Sequence, residues 1–202
     1  GTRYTALEEA NQMIINSDNT ATNMMIDLLG GAPVLNQQFV DWGLSATVLR
    51  NPLPDIEGTN TTSAQELVRM FAHLHKGEIL SLRSRDRVLT ILQRTYNKNL
   101  LPAGVSETTI SYNKPGNIGE VLGHVALTDL PNGKRYAIAA LVQRPDNDGR
   151  ARELIRRVSQ TVNQTMNKSV SVPEPDDGAA ETDSTPLPDS ETSTQEGNPQ
   201  DE

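Results

Sequence analysis

The chain has no cysteine, which excludes disulfide staples and thiolate metal sites but leaves the cellular compartment open. No apolar run approaches the ~20 residues that a membrane-crossing helix needs. From Val170 to Glu202 there is no Lys or Arg, while ten Asp or Glu and five prolines (Pro173, Pro175, Pro186, Pro188, Pro199) fill the stretch. Such a segment buries too little apolar surface to offset the entropy of ordering, so 170–202 is expected to be a disordered acidic tail. Its charge speaks against nucleic acid and anionic membrane surfaces as partners. The tail also accounts for the formal net charge of −8, because residues 1–169 hold 18 basic against 16 acidic side chains, a balance of about +2. Those residues are sized for one domain. An initial Met is lacking too, the chain beginning Gly1-Thr2-Arg3, and a processed or truncated chain is expected.

What is present divides into helices followed by strands. Leu7, Ala10, Ile14 and Ile15 fall on one stripe and predict a helix over 6–15. Met24, Met25, Leu28 and Leu29 predict a second over 20–29, stopped by Gly30-Gly31. A third, with Pro33 in its first turn, carries Val34, Leu35, Phe39 and Trp42. Pro52, Pro54 and Gly58 mark 44–62 as a loop. Ser63-Ala64-Gln65-Glu66 has capping-box spacing and opens a helix through His75; a further helix covers 84–94. Residues 108–114, 119–129 and 135–143 then predict three strands, the last two joined by a turn at Leu130-Pro131-Asn132-Gly133 whose Asn-Gly pair fits a tight hairpin. An amphipathic helix over 150–167 closes the chain, with Leu154, Ile155, Val158, Val162 and Met166 on its buried side. Helices, an antiparallel meander and a closing helix predict an α+β fold. Three strands and one helix are expected to leave one sheet face poorly covered.

Two short stretches carry chemistry. Ser17-Asp18-Asn19 precedes the second helix, and each of its residues is a good N-cap. Lys114-Pro115-Gly116-Asn117 is expected at a strand end near a Gly-rich bend, where an ammonium can bind a carboxylate or stabilise an alkoxide and where strand-edge amides can serve an oxyanion. His73 and His75 are about 200° apart on a helix and cannot face one metal, so these two and His124 are assigned to surface or core. Arg83, Arg85, Arg87 and Arg94 form a solvated basic face with no aromatic stacking partners nearby. Gly116-Asn117-Ile118-Gly119 lacks the strand-to-helix context of a phosphate loop.

Together, Ser17-Asp18-Asn19 before a helix ending at Gly30-Gly31, and Lys114-Pro115-Gly116 about a hundred residues later, resemble the class A β-lactamases and penicillin-binding DD-peptidases, whose motifs are S-x-x-K, S-D-N and K-T-G. The similarity covers about Tyr4 to Asn167. It implies a β-lactamase/transpeptidase-like fold, a helical subdomain beside an antiparallel sheet, without the family's N-terminal strands. Ser17 would relay a proton to the leaving nitrogen. Asn19 would bind the substrate amide and help fix the site's lysine, and Asp18 would point away and brace the loop. Lys114 would supply positive charge, the Asn117 amide one arm of the oxyanion hole, and Pro115 and Gly116 part of the substrate-binding edge. Substrates would be β-lactams or D-Ala-D-Ala-type cell-wall peptides, at an extracytoplasmic bacterial location, with no metal or organic cofactor.

Three departures bear on activity. No serine lies among the sixteen residues before Ser17, so the S-x-x-K nucleophile is missing. Ser111-Tyr112-Asn113-Lys114 is a decoy, because positions i and i+3 share a face on a helix but not on a strand. Pro115 replaces the K-T-G threonine and removes a hydroxyl and an N–H, a change an edge strand tolerates. The loop Arg50-Asn51-Pro52-Leu53-Pro54-Asp55-Ile56-Glu57-Gly58 lacks the Glu-x-x-x-Asn pattern that activates the deacylating water; Asp55 or Glu57 is the candidate substitute. These features imply either the C-terminal two-thirds of a DD-peptidase-like serine acyl-transfer hydrolase or a non-catalytic module that binds cell-wall peptide or protein. By either reading the chain alone is not expected to be acylated.

Overall fold

The computed structural model describes residues 3–168; the acidic tail expected over 170–202 lies outside them. Helices α1 (Ala6–Asn11), α2 (Asn19–Leu28), α3 (Gly31–Asp41), α4 (Ala64–Lys76) and α5 (Leu82–Gln93) come first. A 3₁₀ turn (Leu101–Gly104), strands β1 (Ile110–Asn117), β2 (Val121–Asp129) and β3 (Arg135–Gln143), and helix α6 (Arg150–Asn167) follow. The strands pair antiparallel in the order β1-β2-β3, so the α+β arrangement predicted by the sequence pattern is present.

Strand β2 is the centre of the molecule. Its inner seven residues are all buried, and successive side chains point to opposite faces. Leu122 and Ala126 join Leu100, Leu101, Ile138, Ala151 and Ile155 under α6. Val125 and Leu127 join Phe71 and Leu74 of α4 and Leu89 and Leu92 of α5. The expectation of a poorly covered sheet face is therefore corrected. Both α4 and α5, remote in sequence from the strands, supply the second layer.

Other differences are local. The predicted first helix stops being α-helical at Asn11 and continues as a π-helical turn, Gln12–Asn16. The capping box at Ser63 is only half made: Ser63 Oγ accepts from Glu66 N at 3.2 Å, while the Glu66 carboxylate instead holds Ala46 N (2.7 Å) and Thr47 Oγ1 (2.6 Å). A full capping box is closed at Thr5 and Glu8. The β2–β3 turn is not a two-residue hairpin, because Asp129 pairs with Arg135. Pro131 and Asn132 take its corner, Gly133 N donates to Leu130 O at 3.0 Å, and Gly133 supplies the positive φ (81°).

The 3₁₀ turn meets α6 at Gly104, where an added Cβ would lie 2.5 Å from Arg156 O and 2.7 Å from Ser159 Cβ. Neither obstacle is the loose end of a flexible side chain. Gly104→Ala should therefore force the turn off α6 and lower unfolding stability by about 1–3 kcal/mol, read as a shift in the urea midpoint. An unchanged midpoint would show that this contact does not limit the packing.

Candidate active site

The Ser17-Asp18-Asn19 triplet splits between structure and chemistry. The π turn is closed by bonds from both Ser17 N and Asp18 N to Gln12 O, a widened end of the kind found at functional sites. Asp18, not Ser17, is the N-cap of α2, its Oδ1 accepting from Ala21 N at 2.8 Å. The expected brace is thus a helix cap. Ser17 is held left-handed at φ 57°, ψ 40°, a conformation costing a non-glycine residue roughly 1–2 kcal/mol. The cap therefore falls to Asp18, and the Ser17 hydroxyl is left for another partner.

That partner is on the sheet. Lys114 Nζ donates to Ser17 Oγ at 2.6 Å across 97 residues of sequence and to Pro115 O at 3.2 Å. Among the described residues no carboxylate pairs with Lys114. Burial holds its ammonium below the usual lysine pKa. The decoy Ser111-Tyr112-Asn113-Lys114 lies within β1, with Ser111 and Lys114 on opposite faces.

Strand β1 extends further than predicted. Lys114, Pro115, Gly116 and Asn117 all pair with β2, opposite Val125, His124, Gly123 and Leu122. Antiparallel pairs alternate between hydrogen-bonded and open, and here the even-numbered β1 residues face the ladder, since Ile118 N continues it to Val121 O at 3.1 Å. The odd residues face out. Asn113 O accepts from Thr95 Oγ1 (2.7 Å) and Pro115 O from Lys114 Nζ. Pro115 thus costs the ladder nothing and the outer edge one donor. Asn117 has the same parity, which turns its N–H toward the cleft.

The cleft itself, about 520 Å³, is lined by Ser17, Asn19, Lys114, Pro115, Gly116 and Asn117, and also by Arg144 and Arg152. All six residues expected from the two motifs thus reach one cavity. Asn19 is exposed at its edge. Arg144 had no sequence signal. It is 8% exposed and donates only to neutral oxygens: Gly119 O (2.8 Å), Asn117 Oδ1 (2.6 Å), Asn147 Oδ1 and Asp148 O (both 3.3 Å). Gly119, at φ 77°, lets the β1–β2 turn reach this clamp, and a Cβ there would meet Asp146 Oδ1 at 2.7 Å.

The sequence model of the β-lactamase enzyme family matches residues 1–166. The chain belongs to the β-lactamase enzyme family. Among solved structures, PBP-A is 54% identical, with a TM-score of 0.82 over 83% of this chain and 63% of that one. A PBP-A mutant, solved as an acyl-enzyme complex with penicillin G, is 53% identical at the same TM-score, over 83% of this chain and 64% of that one. A β-lactamase from Chitinophaga pinensis shares the fold at 20% identity, with a TM-score of 0.76 over 83% and 67% of the two chains. No curated protein matches. The chain spans less than two thirds of the length of PBP-A.

Within this family frame, the structure does not bring Asp55 or Glu57 to the cleft. Asp55 is buried in its own loop, where its carboxylate accepts from Asn60 N (2.6 Å) and Thr59 Oγ1 (2.9 Å), and the Asn60 amide holds its pKa below the usual carboxylate value. Glu57 is exposed. Asparagine side chains fix the loop: Asn23 pairs with both the N–H and C=O of Leu53 (2.8 and 2.7 Å), and Asn36 does the same at Leu49 (both 2.8 Å).

Behind Lys114 lies a buried polar chain that the assignment of His124 to surface or core only outlined. Asn113 is fully buried and His124 1% exposed. His124 Nε2 lies 3.0 Å from Asn113 Oδ1, and Leu101 N donates to Nδ1 at 3.4 Å. Each ring nitrogen has a role only if the imidazole is neutral. Burial, and secondarily the Lys114 charge, push its pKa down to about 3. Because the unfolded histidine titrates near 6.5, the unfolded state binds the extra proton between those values. Stability should thus be intact above pH 6.5 and fall toward pH 3, by up to ~1.4 kcal/mol per pH unit. Urea midpoints at pH 7, 5 and 4 check this against His124→Gln, whose acid limb should be flatter; equal slopes in the two proteins would remove His124 as the cause.

Proposed function

We propose that the chain forms the proton-relay and substrate-recognition side of a serine acyl-transfer hydrolase acting on β-lactams or D-Ala-D-Ala-type cell-wall peptides, at an extracytoplasmic bacterial location. The observation that carries this reading is the charge of the cleft. Among the described residues Lys114, Arg144 and Arg152 line it, and no Asp or Glu does. Penicillins and D-Ala-D-Ala peptides both present a free carboxylate beside the scissile amide. An arginine already satisfied by neutral oxygens, as Arg144 is, adds charge-assisted hydrogen bonding to such a carboxylate without breaking an ion pair.

The roles then follow from position. Ser17, 2.6 Å from Lys114, can pass a proton toward a leaving nitrogen, because a hydroxyl donates and accepts at once. The outward amide of Asn117 serves developing negative charge on the carbonyl oxygen. Asn19 offers its amide to the substrate's side chain. Pro115 and Gly116 form the strand edge along which an extended substrate lies, and Pro115 contributes neither a hydroxyl nor an N–H. Among the described residues no cleft carboxylate is available to activate water, since Asp55 is engaged in its loop. This favours a long-lived acyl-enzyme, DD-peptidase-like behaviour, over efficient β-lactam hydrolysis. Pro115 also favours a second reading, a cleft that binds cell-wall peptide without turnover.

Penicillin G and its methyl ester differ at the carboxylate alone, by its charge and one added methyl group, and comparing them requires no variant. Calorimetry should find the acid bound about ten- to hundredfold more tightly, the worth of a hydrogen bond to a charged group. Equal affinity for acid and ester would sink the carboxylate reading.

A further inference from the structure

We propose that Tyr96 is a specificity-determining residue of the cleft, its ring forming a wall against the leaving-group half of the ligand and selecting for an apolar side chain there. The inference rests on the reading of the cleft given above and adds a residue to which that reading gives no role.

Tyr96 is 88% exposed, more than any other large apolar side chain among the described residues, and it lines the cleft. Single exposed apolar side chains are ordinary on a protein surface. This one is set apart by how its backbone is held. Tyr96 N donates to Ile15 O at 3.2 Å, within the π turn and two residues before Ser17. The preceding Thr95 is buried, and its hydroxyl donates to Asn113 O at 2.7 Å, on the residue before Lys114. The backbone at Thr95 and Tyr96 is thus tied to both walls, beside the Ser17–Lys114 contact, while the ring is left to solvent. Among the described residues that line the cleft, Tyr96 is the one aromatic. A tyrosine whose backbone is already fixed offers a large, rigid contact area with little conformational entropy left to lose.

Position decides which half of a ligand meets the ring. The outer edge of β1 runs from Asn113 to Asn117, about 13 Å at the usual rise per residue. The Asn117 N–H, assigned above to the carbonyl oxygen, is at one end, gripped by Arg144. Thr95 and Tyr96 stand at the other, next to Ser17. A ligand with its carbonyl oxygen at Asn117 and its leaving nitrogen at Ser17 therefore carries its leaving group toward Tyr96. Ile15, whose carbonyl holds Tyr96, also lines the cleft and adds apolar surface at that end. An alkyl group on the leaving residue can pack on the ring face, and each methylene so buried is worth up to about fourfold in affinity.

The test uses three ligands, N-acetyl-D-alanyl-glycine, N-acetyl-D-alanyl-D-alanine and N-acetyl-D-alanyl-D-leucine, which share the acyl half and the carboxylate. They differ in the side chain of the leaving residue alone. Titration of the chain, followed by NMR, should show affinity rising about two- to fourfold from glycine to D-alanine and about tenfold from D-alanine to D-leucine. Tyr96→Phe should keep this series. Tyr96→Ala should flatten it to within about twofold and leave the glycine ligand's affinity unchanged, with urea midpoints confirming that both variants are folded. A flat series in the unmodified chain, a slope that persists in Tyr96→Ala, or equal weakening of all three ligands overturns the proposal. The methyl esters of the same ligands separate it from the carboxylate reading. A side-chain series with acid and ester bound equally sinks that reading and leaves Tyr96 in its role; a flat series with the acids favoured does the reverse. Binding of none of the ligands overturns both.

Discussion

Burial of β2 on both faces is the constraint on which the rest of the molecule depends. A strand covered on one side by α6 and on the other by α4 and α5 leaves the edges of the sheet as the places where backbone groups can meet a ligand. On the β1 edge, the groups of Asn113, Pro115 and Asn117 point away from the ladder, and the π turn with the start of α2 stands opposite. The cleft is thus a seam between the helical part and an edge strand. The Ser17–Lys114 contact crosses it, joining a residue whose backbone is held by a turn to one whose backbone is held by a sheet.

The electrostatics of that seam follow from its walls. Burial depresses the basicity of Lys114, and among the described residues no carboxylate pairs with it to oppose the desolvation. The same lack of carboxylates leaves Lys114, Arg144 and Arg152 as the charged side chains of the cleft among the described residues, which is what the anion-binding reading proposed above rests on. The polar chain behind β1, from Thr95 through Asn113 to neutral His124, adds rigidity without adding charge. A protonated His124 would set two donors, its own Nδ1–H and the Leu101 amide, against each other.

Local pattern made most of the fold legible. Hydrophobic period, Gly-Gly, and Pro-Asn-Gly placed the α-helices and strands to within a few residues, though Leu154 and Val158, expected on the buried side of α6, are 50% and 39% exposed, and the two motif stretches named six of the residues that line the cleft. Most of what escaped depends on partners distant in sequence. Arg144 is defined by oxygens of the β1–β2 turn, 25 and 27 residues away. Asn23 and Asn36 brace loop backbone 30 and 13 residues on, and α4 and α5 cover a sheet face that the strand count alone left bare. Capping shows the same limit. Ser63-x-x-Glu66 and Thr5-x-x-Glu8 have identical spacing, yet only the second closes, because a loop amide at Ala46 and the Thr47 hydroxyl compete for Glu66.

Pro115 shows how a departure from a motif can be harmless to a fold and decisive for a site. Strand parity gives the six β1 positions from 112 to 117 two different tolerances for proline. At 112, 114 or 116 a proline would remove a ladder bond to β2 and loosen the strand that carries Lys114. At 113, 115 or 117 it removes only an outward N–H, and of these three Asn113 is excluded by its buried bond to His124 and Asn117 by its grip on Arg144. Position 115 is the one place where the ring fits with the ladder, the buried chain and the arginine clamp all intact. The loss then falls entirely on the ligand, which meets a strand edge lacking one hydroxyl and one amide. Under the carboxylate-binding reading proposed above, that places more of the recognition on the guanidinium of Arg144, whose hydrogen bonds go to neutral oxygens while the nearby Asp148 offsets part of its charge.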